Sequence, residues 1–574
     1  MDSDGWVTHY EDVTFSNTQD EEAHRRYESL PEVIISASTE AGQAESSISV
    51  PNQRRYKGRK PVIPSSLSDT PCKVLGVEGL LEKLNTILGT SYTLYTAWIY
   101  SLLGVFITKD SDFGTAYAHL RPFWYYDLTD VEDELRTREE RDSNMRKDVL
   151  VDRRIISRWL SPRRVWDLYS NRVVPSWVVQ QWLWAISHAW VEEKDRMDVL
   201  TPINGYEWHV PIPKDTNLDL IRIEMLNAGA EYAWLDVLCL RQERGRREDL
   251  RAGEWKVDVP TIGAVYDGLA PIVYYFNGLG RPLRIKAGDF ENDQSWFKRV
   301  WTLQEYYDRR IIGGDTRDDN AMAEEVRAQF DKQLLSLETI ALRAYRMIDV
   351  LTALSYMRHR VCTNPVDKVA GMVYLMQRVS VLPAYYEMQS IEDAWIALVD
   401  AFHIRDRGIL FFAYPKPGNG KNTWRPSWSQ VMSEAEVLPL LLNSLVAPVE
   451  RTEETDSDWI EARCIEAGYV QGLAEGSHDG KHRQGELIVT GGTGEKHKFK
   501  IRADHQYQLP DGLYALVGSP PYYDCEFHEQ YWVVGQRLRD QKFEKVSVFH
   551  IPDKNEVKIL DELKIPMKAK TFLA

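Results

Sequence analysis

The chain has little cysteine: five residues in 574 (Cys72, Cys239, Cys362, Cys464 and Cys525), odd in number, far apart and never in a C-x-x-C pair. That excludes a disulfide framework and a zinc ribbon, and it fits a reducing, intracellular and cytoplasmic setting. Positive charge is also short, with 70 Lys and Arg against 86 Asp and Glu, a net charge of −16. A general nucleic-acid binder needs a basic face to neutralise phosphates, so small molecules or proteins are the expected partners. No apolar run is long enough for a bilayer. The nearest, Tyr92–Ile107, has 16 residues and carries hydroxyl groups throughout; it falls short of the roughly 20 required and reads as a buried helix, so no membrane partner is expected. The opening residues MDSDGWVTHYEDVTF lack the basic and apolar regions of a secretory signal.

Phosphate loops and metal sites are missing too. GLGRP (Gly278–Pro282) lacks the third glycine of a dinucleotide turn, and GGTGEKH (Gly491–His497) lacks the G-K-[ST] ending. His478 and His482 are four apart, but in a glycine-rich turn with no helix to align them. No metal and no cofactor is assigned.

Large side chains are plentiful, with 19 Trp and 29 Tyr, and the length leaves room for roughly three or four domains. Residues 1–50 carry 11 acidic against 2 basic side chains, followed by RRYKGRK with five cations in seven positions. Residues 1–70 are therefore expected to be a disordered arm that the fold does not need, and Arg54–Lys60 reads as a solvated charge run in preference to a nuclear address. Helical spacing in VLGVEGLLEKLNTILGT, closed by Gly89, predicts a helical N-terminal module over 71–170. Residues 386–445 read as a helical and loop connector. Short alternating runs such as GELIVTGG, YWVVGQ and KVSVFHIP predict a separate β-rich domain over 446–574.

Between them, over 171–385, continuous apolar runs alternate with helices. WLWAISHAW (Trp182–Trp190), YAWLDVLCL (Tyr232–Leu240) and PIVYYF read as strands, while NLDLIRIEMLNAGA and VDVPTIGAVYDGLA read as helices. This predicts an α/β domain with a parallel sheet covered on both faces. Ser187 and His188 then fall at the C-terminal end of a strand, the edge where open α/β sheets bind ligands. Asp236 falls inside a buried strand, where an unpaired carboxylate costs several kcal/mol, so it needs partners and acts as an organiser or a ligand contact. Arg241 opens an arginine-dense loop that either meets a ligand phosphate or is simply solvated. SWFKRVWTLQEYYD is expected as one helix, with Trp296, Val300 and Leu303 inward, Lys298, Thr302 and Glu305 on another face, and Trp301 one turn from Glu305.

WAISHAW, YAWLDVLCLRQ, KRVWTLQE and RHRVCTNPVDKVAGMVYLM, in this order, resemble the fungal heterokaryon-incompatibility (HET) domain, with its A-L-S-Y-x-W strand, W-I-D-x-L-C-I-x-Q strand and R-x-W-x-x-Q-E helix. The first element departs, having His188 in place of the aromatic. The resemblance covers about residues 180–380, and RVWDLYSNRVVP and WRPSWSQ are similar to sequence that accompanies the domain. HET domains are in turn remotely similar to TIR domains. That likeness implies a flavodoxin-like, TIR-like sheet domain, with Glu305 as the carboxylate that cleaves NAD⁺ and Ser187, His188, Asp236, Arg241 and Trp301 binding it as substrate. It implies an intracellular self/non-self recognition and cell-death effector that self-associates as a homo-oligomer and whose products are nicotinamide and an ADP-ribose species. The alternative is a non-catalytic interaction module that recruits an unknown protein partner. A single carboxylate suffices for the first, because NAD⁺ expels neutral nicotinamide and no acid must protonate the leaving group.

Overall fold

The computed structural model describes residues 26–574 except 96, 127, 180, 319–321, 345–347, 377–378, 434–437, 439–445, 453–456, 476–481 and 521–528. Within the described residues, Met1–Tyr345, Val361–Tyr374 and Val381–Glu387 form one compact unit; Arg346–Arg360, Leu375–Ser380 and Met388–Ala574 form the other. His478 and Cys525, weighed above, lie outside the described residues. Among those described, no helix is long and apolar enough to cross a membrane.

The first unit opens with a hairpin, β1 (Val33–Ser36) paired antiparallel with β2 (Arg55–Gly58). After a one-turn helix at Ser65–Ser68 come the longer helices α1 (Cys72–Leu88), α2 (Ala97–Thr108), α3 (Phe113–Leu120) and α4 (Val131–Asp148). Gly89 ends α1 at φ 65°, a left-handed cap that a side chain would resist. Next come β3 (Arg164–Asp167), β4 (Arg172–Pro175), β5 (Leu183–His188) and a ribbon of β6 (Arg196–Val199) with β7 (Val210–Pro213). Helix α5 (Leu218–Ala228) leads to β8 (Tyr232–Trp234), and a short helix α6 (Asp236–Cys239) follows. After α7 (Arg251–Asp258) come β9 (Ile272–Tyr275), α8 (Thr302–Glu305) and β10 (Arg310–Ile312).

These strands make one six-stranded sheet in the order β10-β9-β5-β8-β3-β4. The first four run parallel, so in chain order the parallel strands are arranged 2-1-3-4, with His188 opposite Tyr275 and Ala185 opposite both Trp234 and Ile272. β3 and β4 add an antiparallel edge. β8 and β9 are buried along their whole length, which is why they read as unbroken apolar runs rather than alternating ones.

Three expectations are corrected here. The arm expected over 1–70 is folded in its described part beyond residue 30: Ile35, Val50, Val62 and Ile63 are buried, Gln53 donates to Glu224 at 2.7 Å, and the Arg222 guanidinium donates to the Ile63 carbonyl at 2.7 Å. Acidic composition describes the first half of this stretch, whereas the apolar residues that anchor it come later. The 71–170 stretch is not a module apart, since β3 already pairs with β8, and Arg121 bonds Asp167 at 3.0 Å and the Tyr232 hydroxyl at 2.8 Å. Residues 388–432, expected within a connector, belong to the same compact unit as the C-terminal strands.

In that second unit eight strands run antiparallel: β11 (Val449–Thr452), β12 (Ser457–Gln471), β13 (Arg483–Thr490), β14 (Lys496–Ala503), β15 (Gly512–Gly518), β16 (Gln530–Arg537), β17 (Phe543–Ile551) and β18 (Met567–Phe572). The order β12-β13-β14-β17-β16-β15 closes because β15 pairs back with β12. Leu487, Phe499, Trp532, Val534 and Phe549 fill its interior. Of the Gly491–His497 stretch, Gly491–Glu495 make the turn between β13 and β14, and Lys496 and His497 open β14. Helix Ile404–Ala413 is tied on by Arg407, which pairs with Asp458, and by buried Lys545, whose ammonium donates to the Phe411 carbonyl at 2.6 Å. Burial lowers that ammonium to about 7.

Candidate active site

A cavity of about 640 Å³ lies beyond the C-terminal ends of β5 and β8, lined by His188, Asp236, Trp301 and Glu305 among others. β5 delivers Ser187 and His188 at its last two positions. β8 stops at Trp234, two residues before Asp236, which overturns the expectation of a strand through Leu240. Asp236 instead opens α6, where its Oδ1 accepts from the Val237 amide at 2.7 Å, while the Leu238 and Cys239 amides donate to the Leu235 carbonyl. A carboxylate at a helix start satisfies amides that have no partner within the helix, and this local gain wins over strand propensity.

The segment expected as one helix is also broken. Arg299 is extended at ψ 142°, because the Val300 amide donates to the Val361 carbonyl at 3.1 Å and the Val361 amide donates to the Lys298 carbonyl at 2.7 Å. These nonlocal bonds interrupt the helical ladder. Trp296, Val300 and Leu303 are nonetheless buried, and Trp301 and Glu305 still sit one turn apart, since Trp301 is the helical residue that precedes α8.

Ser187 is 1% exposed and lies behind Glu305. The Trp296 indole donates to Ser187 Oγ at 2.8 Å, so the single hydroxyl proton is left for Glu305 Oε2 at 2.5 Å. His188 places Nε2 2.8 Å from Asp236 Oδ1 and Nδ1 3.2 Å from the Ala189 carbonyl. Two acceptors facing two ring nitrogens suit an imidazolium. Burial opposes that charge, but the Asp236 carboxylate outweighs it and raises His188 above its ordinary value. Conversely, burial disfavours the Asp236 anion while His188, the Val237 amide and the Trp190 indole lower its pKa. Burial pushes the Glu305 carboxyl up to about 7; Asp236 adds to the rise, and the Ser187 hydrogen bond, His188 and Arg299 hold it down. Glu305 is therefore not the ordinary ionised surface carboxylate that its sequence position suggests.

Arg241, expected to meet a ligand phosphate, does neither that nor face solvent. It is 4% exposed, bonded to Glu207 at 3.1 Å and Glu254 at 3.4 Å, with its guanidinium 5.1 Å from the centre of the Trp208 ring. Gln242, Glu243 and Arg244, further along the same loop, do line the cavity. The structure thus brings Ser187, His188, Asp236, Trp301 and Glu305 together and leaves Arg241 in a buried ion-pair network.

Asp367 and Arg196 are among the lining residues that sequence did not single out. Asp367, from the VDKVAG stretch, accepts from the Tyr385 hydroxyl at 2.8 Å and from the Trp301 indole, which fixes the Trp301 ring as a wall. Burial pushes the Asp367 carboxyl up to about 6. Arg196 comes from the β6–β7 ribbon and has no sequence signature beyond its charge. Among the described residues no group of His, Cys, Asp and Glu is arranged to hold a metal ion.

No family model, curated protein or solved structure matches this chain.

Asp236→Ala is expected to destabilise the protein by about 2–3 kcal/mol, below the range for fully buried pairs because the Asp236 side chain is 24% exposed. His188 is raised, so its contribution is complete below its ordinary 6.5 and fades as pH rises through its elevated value. Asp236 is lowered, so its contribution is present above its ordinary 3.8 and is lost on further acidification. Denaturant midpoints at pH 5.5 should therefore differ most between wild type and variant, and equal midpoints there would refute the pairing.

Proposed function

We propose that this chain is an NAD⁺ glycohydrolase of HET-like, TIR-like kind, working as an intracellular self/non-self recognition and cell-death effector through a flavodoxin-like domain. The observation that carries the proposal is Glu305, a buried carboxyl that lines a tryptophan-walled cleft and is held by Ser187 at 2.5 Å. The volume suits a small-molecule ligand, whereas a recruiting surface has no need of a buried carboxylate. The 2-1-3-4 order of the parallel strands supports the fold assignment.

In the proposed reaction the ribosyl C1′–N bond of NAD⁺ breaks and its electron pair leaves with neutral nicotinamide. The Glu305 carboxylate stabilises the developing oxocarbenium cation, then takes a proton from the water that adds to C1′, giving ADP-ribose and, on release, H⁺. A base near pH 7 is matched to that second step. Incubation of the purified chain with NAD⁺ should release nicotinamide, and no release at any pH between 6 and 9 would overturn the proposal.

The pH profile is a sharper check. Because only ionised Glu305 serves, kcat/KM should climb about tenfold per pH unit from acid pH and level off above its value of about 7. The positive nicotinamide ring of bound NAD⁺ favours the carboxylate, so the kcat profile should level off at lower pH. A kcat/KM profile flat from pH 5 to 8 would remove Glu305 from the chemistry.

A further inference from the structure

The crossover from β5 to α5 carries the β6–β7 ribbon, and this ribbon contributes to the cavity wall. Side chains alternate along a strand, so Arg196 and Asp198 both line the cavity while Met197 between them is 42% exposed. Four arginines line the cavity: Arg196, Arg244, Arg251 and Arg299. Arg251 is held by both oxygens of Glu387 at 2.7 and 3.0 Å. Arg299 lies beside Asp367 and Glu305, and Arg244 stands 3.8 Å from Asp198. Arg196 differs. Among the described residues it has no carboxylate and no hydrogen-bond acceptor, and its guanidinium rests 5.5 Å from the centre of the Trp190 ring.

A guanidinium held over an aromatic ring without an acceptor keeps its planar donor fork available, and that fork matches the oxygens of phosphate or carboxylate. Trp190 also ties this arginine to the rest of the site. Its ring centre is 5.6 Å from that of His188, its indole donates to Asp236, and His188 is in turn the neighbour of the Ser187 that holds Glu305. With no carboxylate of the described residues within ion-pair distance, this half-buried guanidinium is open to an incoming anion.

We propose that Arg196 is the anion anchor of the cavity and holds the diphosphate of a dinucleotide whose ribosyl–nitrogen bond lies at Glu305. That the anion is a diphosphate rests on the NAD⁺ proposal; that Arg196 is an anion anchor does not. Arg244 lines the same cavity, is held to Asp198 only at 3.8 Å, and supplies a second positive charge.

The test is titration calorimetry of the full chain with ADP-ribose, which retains the diphosphate and is not consumed, and with adenosine, which has none. Arg196→Gln should weaken ADP-ribose binding about 10- to 100-fold, the usual effect of one charge-assisted contact, and leave adenosine binding unchanged. Its melting temperature should match wild type, because Arg196 braces nothing in the free protein. In kinetics, KM for NAD⁺ should rise with kcat little changed, and cleavage of nicotinamide riboside, which has no phosphate, should not respond. A wild type that does not bind ADP-ribose, or an Arg196→Gln protein that binds it equally well, overturns the anchor. A wild type that binds ADP-ribose through Arg196 yet releases no nicotinamide from NAD⁺ overturns the glycohydrolase and leaves the anchor standing.

Discussion

Glu305→Gln is expected to lose nicotinamide release by about 10² to 10³ while becoming more stable at alkaline pH. Both effects come from one burial. The folded protein holds the Glu305 proton with a pKa of about 7 against an ordinary 4.5, so deprotonation is disfavoured by the fold. As pH rises from 4.5 through 7 this cost accumulates to about 3 kcal/mol, and it is absent at lower pH, where the carboxyl is neutral in both states. Glutamine keeps an oxygen to accept the Ser187 hydroxyl and carries no charge. The variant should therefore melt higher than wild type at pH 8 and the same at pH 4.5, while failing to consume NAD⁺. Wild-type turnover in Glu305→Gln would end the enzymatic proposal. A variant that melts lower than wild type at pH 8 would show that burial does not govern this carboxyl.

The largest effect on stability is expected from Arg222→Ala, at about 3–5 kcal/mol. Arg222 on α5 is fully buried and donates to the carbonyls of Leu168, Ile63 and Tyr169 at 2.7, 2.7 and 3.1 Å. It also meets the Ser65 hydroxyl at 3.4 Å and Glu40 at 3.2 Å, whose side chain is 1% exposed. Removing the guanidinium takes a donor from three carbonyls and the charge partner from buried Glu40, which keeps the Ser65 amide at 2.9 Å, and it removes the central tie between the N-terminal segment and the sheet. Loss of soluble expression or a large drop in urea midpoint should follow. Adding Glu40→Gln should restore part of the loss by removing the stranded charge. An Arg222→Ala protein of wild-type midpoint would mean that residues 33–64 are not anchored as described, and would revive the expectation that they are dispensable.

That anchor illustrates where sequence reading stops. Residues 1–50 are acidic on average, yet only a few positions decide whether the segment orders: Ile35 and Val50 on its apolar side and Gln53 just beyond. Composition averages over those positions, and their partners Arg222 and Glu224 lie about 170 residues away in the chain. The same limit applies to Arg241 and Arg196. Both are arginines near the cavity, and nothing in their neighbours tells which is locked between two glutamates and which stands open.

By itself the sequence determined the mixed α/β character of the first unit and the β-rich character of the C-terminal strands, because burial on both faces writes continuous apolar runs and turn-delimited strands write short alternating ones. It also determined the one-turn spacing of Trp301 and Glu305, which survives in α8. Tertiary structure alone decided that β8 ends before Asp236, that Arg299 leaves the helical path to pair with Val361, and that Ser187, His188, Asp236 and Glu305 converge. It alone also set the Glu305 carboxyl near 7, since a pKa depends on the water and charges around a group, and here those come from strands and loops distant in the chain.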